Sequence, residues 1–231
     1  MYTLAIDTSA KTSSAALVRD GEIAGSFKVS CGLTHSETML HMIDSLIKAC
    51  SIDIGDIDVL SCCAGPGSFT GVRIGVSLIK GLAFADQRPC AGVSSLMSMA
   101  YGFYGCGRKA IISPVIDARR ETVYNALFSL DGVEIVRLTE DRVVTARELE
   151  NEILREYADV PVFFPGDGAY LISDKIKAAL PKEACIPSAC GAAFIAERMF
   201  RAGECVSASA LAPIYLRPAR ADVPKSLRNT E

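Results

Sequence analysis

The sequence contains no CxxC pair, no run of about 18 apolar residues and only two histidines. Each absence removes a class of protein. Without a long apolar run, no segment is expected to cross a bilayer as a helix. Nine cysteines would suit a disulfide scaffold, but the number is odd. They run from Cys31 and Cys50 through Cys62, Cys63, Cys90, Cys106, Cys185 and Cys190 to Cys205, mostly among apolar or small residues. They are expected to be reduced and to behave as small hydrophobes, in spacings that do not suit zinc. The opening MYTLAIDTSAKTSS has neither the basic start nor the apolar stretch of a secretory leader, so a cytoplasmic protein is expected. Lys and Arg number 24 against 27 Asp and Glu, a net charge of −3 that gives no overall positive field for nucleic acid. A local basic patch remains compatible with that balance. His35 and His41 are six apart, which is about 240° round a helix, so they cannot chelate one ion together. No GxSxG elbow is present to seat a nucleophilic serine.

What is present is apolar and patterned. Half of the 231 residues are hydrophobic, which excludes global disorder and supplies a sizeable core for one large domain or two small lobes. Thr3–Ile6, Ser14–Val18 and Glu22–Val29 read as a meander of strands, with the turn signal Asp20-Gly21 before the third. Thr34-His35-Ser36-Glu37 fits a capping box opening a helix over His35–Cys50. Its apolar residues, among them Met39, Met42 and Leu46, cover an arc of roughly 160°, wider than one core contact needs. A buried strand, Ile57–Cys63, leads through a glycine-rich loop to a second helix, Phe69–Ala85. The pattern then begins again. Ala110–Ile116 is an apolar strand ending at Asp117, followed by Thr122–Leu130, an Asp131-Gly132 turn and Val133–Leu138. Helical patterns cover Ala146–Tyr157, Tyr170–Leu180 and Ala192–Arg201. The spacing predicts an internal duplication of a β-β-β-α-β-α unit, with its boundary near Tyr101–Arg108, where glycines cluster.

Three features could carry chemistry. Gly65-Pro66-Gly67-Ser68-Phe69-Thr70-Gly71-Val72-Arg73-Ile74-Gly75 stands where a phosphate cradle would. It matches neither GxxxxGK[ST] nor GxGxxG, which would need glycine at Thr70. The better reading is structural: Gly71 and Gly75, with Ser77 and Leu78 beside them, give the second helix a small flank for close approach of another helix. Asp7 and Asp117 end equivalent strands and could hold a metal–phosphate complex from two lobes, or each could cap a turn. Asp7-Thr8-Ser9 lacks a phosphate-admitting glycine, and Asp117 is followed by the bulky Ala118-Arg119-Arg120. From Arg217 onward, Arg217, Arg220, Lys225 and Arg228 outweigh Asp222 and Glu231, which reads as a solvated basic tail or a contact for RNA phosphate.

Taken in order, AIDTS at Ala5–Ser9, HSE at His35–Glu37, GPGSFTGVRIG at Gly65–Gly75, GVSSL at Gly92–Leu96, IDARR at Ile116–Arg120, GDG at Gly166–Gly168 and PIYLR at Pro213–Arg217 resemble the bacterial TsaB (YeaZ) family. One departure is His41, where the family often has proline. The resemblance implies an α/β, actin/Hsp70-like (ASKHA) fold of two ribonuclease-H-like lobes. The lobes would span residues 1–104 and 105–217, the last helix able to return to the first lobe, with a basic tail at 218–231. It implies no catalytic residue, cofactor or metal in this chain, and a scaffold role in making N6-threonylcarbamoyladenosine (t6A), the modified base beside the anticodon of tRNAs reading codons that start with A. The implied partners are the transferase TsaD, bound through helices of the N-terminal lobe, and the ATPase TsaE. The resemblance is also compatible with a homodimer when the protein is alone, and implies that tRNA is met through the complex. Met39, Met42, Leu46, Gly71, Val72 and Gly75 are the expected contact residues. The rival readings are an active ATPase or small-molecule kinase of the same fold and a glycoprotease-type peptidase.

Overall fold

The computed structural model describes residues 1–30, 34–178, 180 and 187–217. Cys31, Cys185 and the expected basic tail at 218–231 lie outside the described residues. Strands β1 (Tyr2–Asp7), β2 (Ser13–Arg19) and β3 (Glu22–Val29) form an antiparallel meander. Asp20 and Gly21 both take positive φ, 48° and 82°, as a two-residue hairpin turn of the twisted kind requires. Helix α1 (His35–Ala49) crosses to β4 (Ile57–Gly65), parallel to β1, and α2 (Phe69–Phe84) crosses to β5 (Cys90–Ser94), parallel to β4. The resulting sheet has the order β3-β2-β1-β4-β5. Its central strands are almost wholly apolar because helices cover both faces. Leu4, Ile6, Leu17 and Leu60 face α1 and α2, while Ala5, Ala16, Val18 and Val59 face the other way. The capping box forms: the Thr34 amide and hydroxyl both donate to Glu37 Oε2, at 3.1 and 2.6 Å.

A short helix, α3 (Ser95–Tyr101), leads out of this sheet. The second half then repeats the meander with every strand broken in two. β6 (Arg108–Ile112) continues as β7 (Val115–Asp117), β8 (Thr122–Asn125) as β9 (Phe128–Gly132), and β10 (Glu134–Arg137) is followed by β11 (Arg142–Thr145). After α4 (Ala146–Glu156), β12 (Val162–Phe163) lies parallel to β6. The sheets run β10-β9-β6-β12 and β11-β8-β7. The pairing senses match the first half: β6 with β9 and β9 with β10 antiparallel, β6 with β12 parallel.

Three expectations need correction. The predicted strand Thr122–Leu130 is broken at Ala126-Leu127. The predicted strand Ala110–Ile116 is interrupted at Ser113-Pro114, where proline has no amide for the ladder. The buried Asn125 amide fills the gap, donating to Ser113 Oγ at 2.9 Å and Pro114 O at 3.1 Å. The predicted helix Tyr170–Leu180 is instead a single 3-10 segment, Asp167–Leu171, followed by irregular chain. The Ala178 amide then donates to Val162 O at 2.9 Å, so β12 claims the backbone that a helix would have used. The last helix, α5 (Ala189–Ala202), returns to the first sheet. Its Ala189, Ala192, Ala193 and Ala196 are fully buried against the face carrying Ala5, Ala16 and Val18. Small side chains there let helix and sheet approach closely. Among the described residues no helix is long and apolar enough to cross a membrane.

Candidate functional site

The two strand-end aspartates occupy equivalent turns. Asp7 Oδ1 accepts the Ser9 amide at 2.8 Å and the Ser9 hydroxyl at 2.7 Å, and the residue is 1% exposed. Asp117 Oδ1 accepts the Arg119 amide at 2.7 Å. Each carboxylate therefore caps the residue two positions on. Tyr170 donates its hydroxyl to Asp117 Oδ2 at 3.0 Å, and this bond, with burial and the nearby negative charge, raises the phenol above its ordinary value.

The surroundings of the two turns differ. The start of α2 closes over the first. Ser68 N donates to Ser9 O at 2.7 Å, and Thr8 Oγ1 to Gly71 O at 2.7 Å. A Cβ on Gly67 or Gly71 would overlap the Ser9 or Thr8 carbonyl, and one on Gly75 would stand 2.6 Å from Thr8 Oγ1. The glycine-rich segment is thus a packing device between a helix and a strand-end turn. The second turn stays open, and its residues Arg119, Arg120 and Glu121 hold φ of 69°, 55° and 58°. Left-handed backbone at a residue with a Cβ costs about 1–2 kcal/mol each. Arg217 helps hold it, donating from Nη1 to Ala118 O at 2.9 Å and from Nη2 to Thr122 Oγ1 at 3.0 Å.

Between the turns lies a cleft of about 730 Å3. One wall is Pro66, Gly67 and Phe69, the other Ala118, Arg119, Arg120 and Thr122, with 214–217 along the floor. Phe69 and Tyr215 stack with ring centroids 5.0 Å apart. The Arg73 guanidinium sits 3.8 Å over Phe69 and donates from Nε to Tyr215 Oη at 2.7 Å. Four of the motifs noted in the sequence, GPGSFTGVRIG, IDARR, GDG and PIYLR, meet at or directly behind this cleft. Gly168 backs it from the far side, its Cβ position 3.0 Å from Asp117 N. His35 belongs to the neighbouring turn, its ring joining Ser13 Oγ at 2.6 Å and Ala10 O at 2.8 Å, whereas His41 is exposed. Among the described residues no group of three His, Cys, Asp or Glu could hold a metal ion. Burial pushes the Cys62 and Cys63 thiols well up, which leaves them inert.

The six expected contact residues are inside the chain. Met39, Met42, Leu46 and Val72 are 0%, 6%, 1% and 2% exposed, packed with Leu4, Ile6 and Leu17. Gly71 and Gly75 face Thr8 and not another helix. The physical reason is that α1 and α2 cover one face of a single sheet, which takes up most of their apolar arc. Their outward faces carry Leu40, 52% exposed, with His41 and Asp44, and Arg73, Ser77 and Gly81. Nothing lies within 4 Å of a Cβ placed on Gly81. The arginine wall of the cleft was not assigned as a site from sequence. Its only signal was the bulk of Arg119-Arg120 where a phosphate loop would need glycine.

Comparison with known proteins agrees over nearly the whole chain. The sequence pattern of the TsaD family, tRNA N6-adenosine threonylcarbamoyltransferase, matches residues 30–212. A tRNA threonylcarbamoyladenosine biosynthesis protein TsaB from Escherichia coli K12 is 33% identical over 221 residues, covering 94% of this chain and 95% of that protein. The solved structure of YeaZ from Pseudomonas aeruginosa superposes with a TM-score of 0.78 at 28% identity, covering 93% of this chain and 99% of that one. A ROK hexokinase from Thermus thermophilus reaches a TM-score of 0.50 at 12% identity, covering 88% of this chain and all of that one (100%), a likeness of fold alone.

Proposed function

The chain belongs to the TsaB (YeaZ) family, with its actin-like α/β fold and its role in t6A biosynthesis, and from that premise we propose that it is the non-catalytic scaffold of the modifying complex. It binds TsaD through the N-terminal half and, with TsaD, the ATPase TsaE; alone it pairs with a second copy. It works in the cytoplasm and turns over no substrate itself. The observation that carries this reading is the plugged first turn: in an actin-like ATPase the loop after the first strand must admit phosphate, and here Gly67 and Gly71 seal it against Ser9 and Thr8.

The contact surface is the outward face of α1 and α2. Gly81, in the last turn of α2, supports it: a glycine within a helix costs up to about 1 kcal/mol against alanine, and no neighbour in this chain requires it. A close-packed helix from another chain would. A stable contact of this kind buries on the order of 1,200–2,000 Å2. The six buried residues named above set the position of these helices and do not themselves touch a partner.

The decisive experiment reconstitutes t6A formation from threonine, bicarbonate, ATP and tRNA with the partner proteins, with and without this chain. Product should vanish on omission and return on addition, while ATP hydrolysis by the isolated chain stays at background. Undiminished product without it would sink the scaffold reading, and magnesium-dependent hydrolysis by the chain alone would favour an ATPase. Gly81→Arg should abolish co-elution with TsaD without lowering Tm; retained co-elution would remove α2 from the interface.

A further inference from the structure

The cleft between the two turns is lined by Arg119, Arg120 and Arg217 and by no carboxylate, in a chain whose net charge is −3. The local field is therefore opposite in sign to that of the molecule. Arg217 is engaged in bracing the turn. Arg119 and Arg120 are exposed, and among the described residues neither guanidinium has a carboxylate partner. Both stand on left-handed backbone, a conformation that glycine would adopt without strain. Arginine at both positions thus carries a backbone cost that glycine would avoid. Across the cleft, the Phe69–Tyr215 stack offers an aromatic surface, and Tyr215 is 43% exposed.

From these observations, and resting on the t6A reading above, we propose that the cleft holds a single-stranded segment of RNA, with phosphates on Arg119 and Arg120 and an unstacked base on Tyr215. Cationic side chains beside aromatic rings are the means by which proteins hold single strands. An acidic peptide would use the arginines and leave the rings idle. A magnesium nucleotide would need a carboxylate free for the metal, yet Asp117 accepts the Arg119 amide with one oxygen and the Tyr170 hydroxyl with the other. The cleft volume of about 730 Å3 suits a group of small-molecule size and excludes a duplex.

The test uses the full chain in its assembled complex and a fluorescently labelled anticodon stem-loop, read by anisotropy over a range of salt. The double variant Arg119→Gly, Arg120→Gly is chosen because glycine relaxes the turn, so its Tm should not fall. It should bind the RNA at least tenfold more weakly, with a salt slope reduced by about 1.4 for two lost phosphates. Tyr215→Leu should weaken binding about tenfold with the slope unchanged, because stacking releases no counterions. Unaltered binding by the double variant overturns the proposal. So does competition by AMP at concentrations equal to the RNA, which would make the ligand a free nucleotide, or an arginine effect with none at Tyr215, which would make it a bare anion site. If omitting the chain still abolishes t6A while both variants bind RNA normally, this inference falls and the scaffold reading stands.

Discussion

After β1, Asp7 caps Ser9 and the turn is buried beneath α2; after β7, Asp117 caps Arg119 and the turn stands open to the cleft. The two begin from the same hydrogen bond and the same place in a repeated strand order, so the divergence lies in what packs on them. Beneath α2, three glycines remove the side chains that would hold helix and turn apart. Among the described residues no helix is laid over the second turn as α2 is over the first; the 3-10 segment Asp167–Leu171 meets it through Tyr170, Gly168 and the Asp167 carboxylate, which accepts the Asp117 amide at 3.0 Å. A duplicated frame has thus been closed on one side and left accessible on the other.

The comparison can be broken most forcefully at Gly71. Gly71→Val forces a side chain into the Thr8 carbonyl and should cost about 3 kcal/mol, a fall in Tm of roughly 10 °C for a chain this size. Gly81→Ala meets nothing and should stabilise by about 1 kcal/mol. Thermal melts of the two variants that moved in the same direction would refute the packing role assigned to the glycine segment. A smaller effect separates the aspartates. Asp7→Ala removes two bonds to a buried carboxylate and should cost about 2 kcal/mol in urea unfolding, whereas Asp117→Ala, at the accessible turn, should cost about 1 kcal/mol or less. Equal losses would mean that the turns are energetically equivalent despite their different cover.

The smallest effect tests a likeness between the halves. Thr34 with Glu37 and Thr145 with Glu148 form the same capping box at α1 and α4. Hydrogen bonds from the threonine hold both glutamates below their usual value of 4.5. A depressed folded-state value means that the caps contribute fully above about pH 4.5 and lose their contribution as pH falls through the lower folded values. Thr34→Ala and Thr145→Ala should each flatten the decline of stability with pH in that acid window and leave the slope near neutrality unchanged. A slope that changed at neutral pH would point to a different titrating group.

The meander, α1, β4 and α2 were legible because each has one buried period and clean end signals at Asp20-Gly21, Thr34 and Ser68. The duplication was legible from the recurring strand, aspartate and turn. Less visible was α3: Ser95, Leu96, Ser98, Met99, Ala100 and Tyr101 are all buried, and a short helix buried on every side has no periodicity to read. The Tyr170–Leu180 segment shows the opposite failure, a helical spacing overruled when β12 bonded its backbone. The six residues expected at a contact on α1 and α2 lie inside the chain, because the breadth of an apolar arc does not tell which part of it a sheet covers. The sheet takes most of it, leaving Leu40 and Phe84 exposed, and Gly81 has no reason to be small inside its own chain. The arginine cleft could not be found from sequence, since its walls come from segments about 50 and 100 residues apart that only the return of the chain at 214–217 brings together.

That return has a consequence for how the protein is made. One face of the first sheet, with Ala5, Ala16, Val18 and Val59, is covered chiefly by α5, the last helix of the described chain, with Tyr101 and Met97 of α3 at its side. During synthesis at about 5–20 residues per second, the earliest strands to leave the ribosome wait for the latest helix. A nascent chain stalled before residue 189 leaves the apolar surface that α5 covers exposed, and such chains are the species that chaperones or proteases should capture.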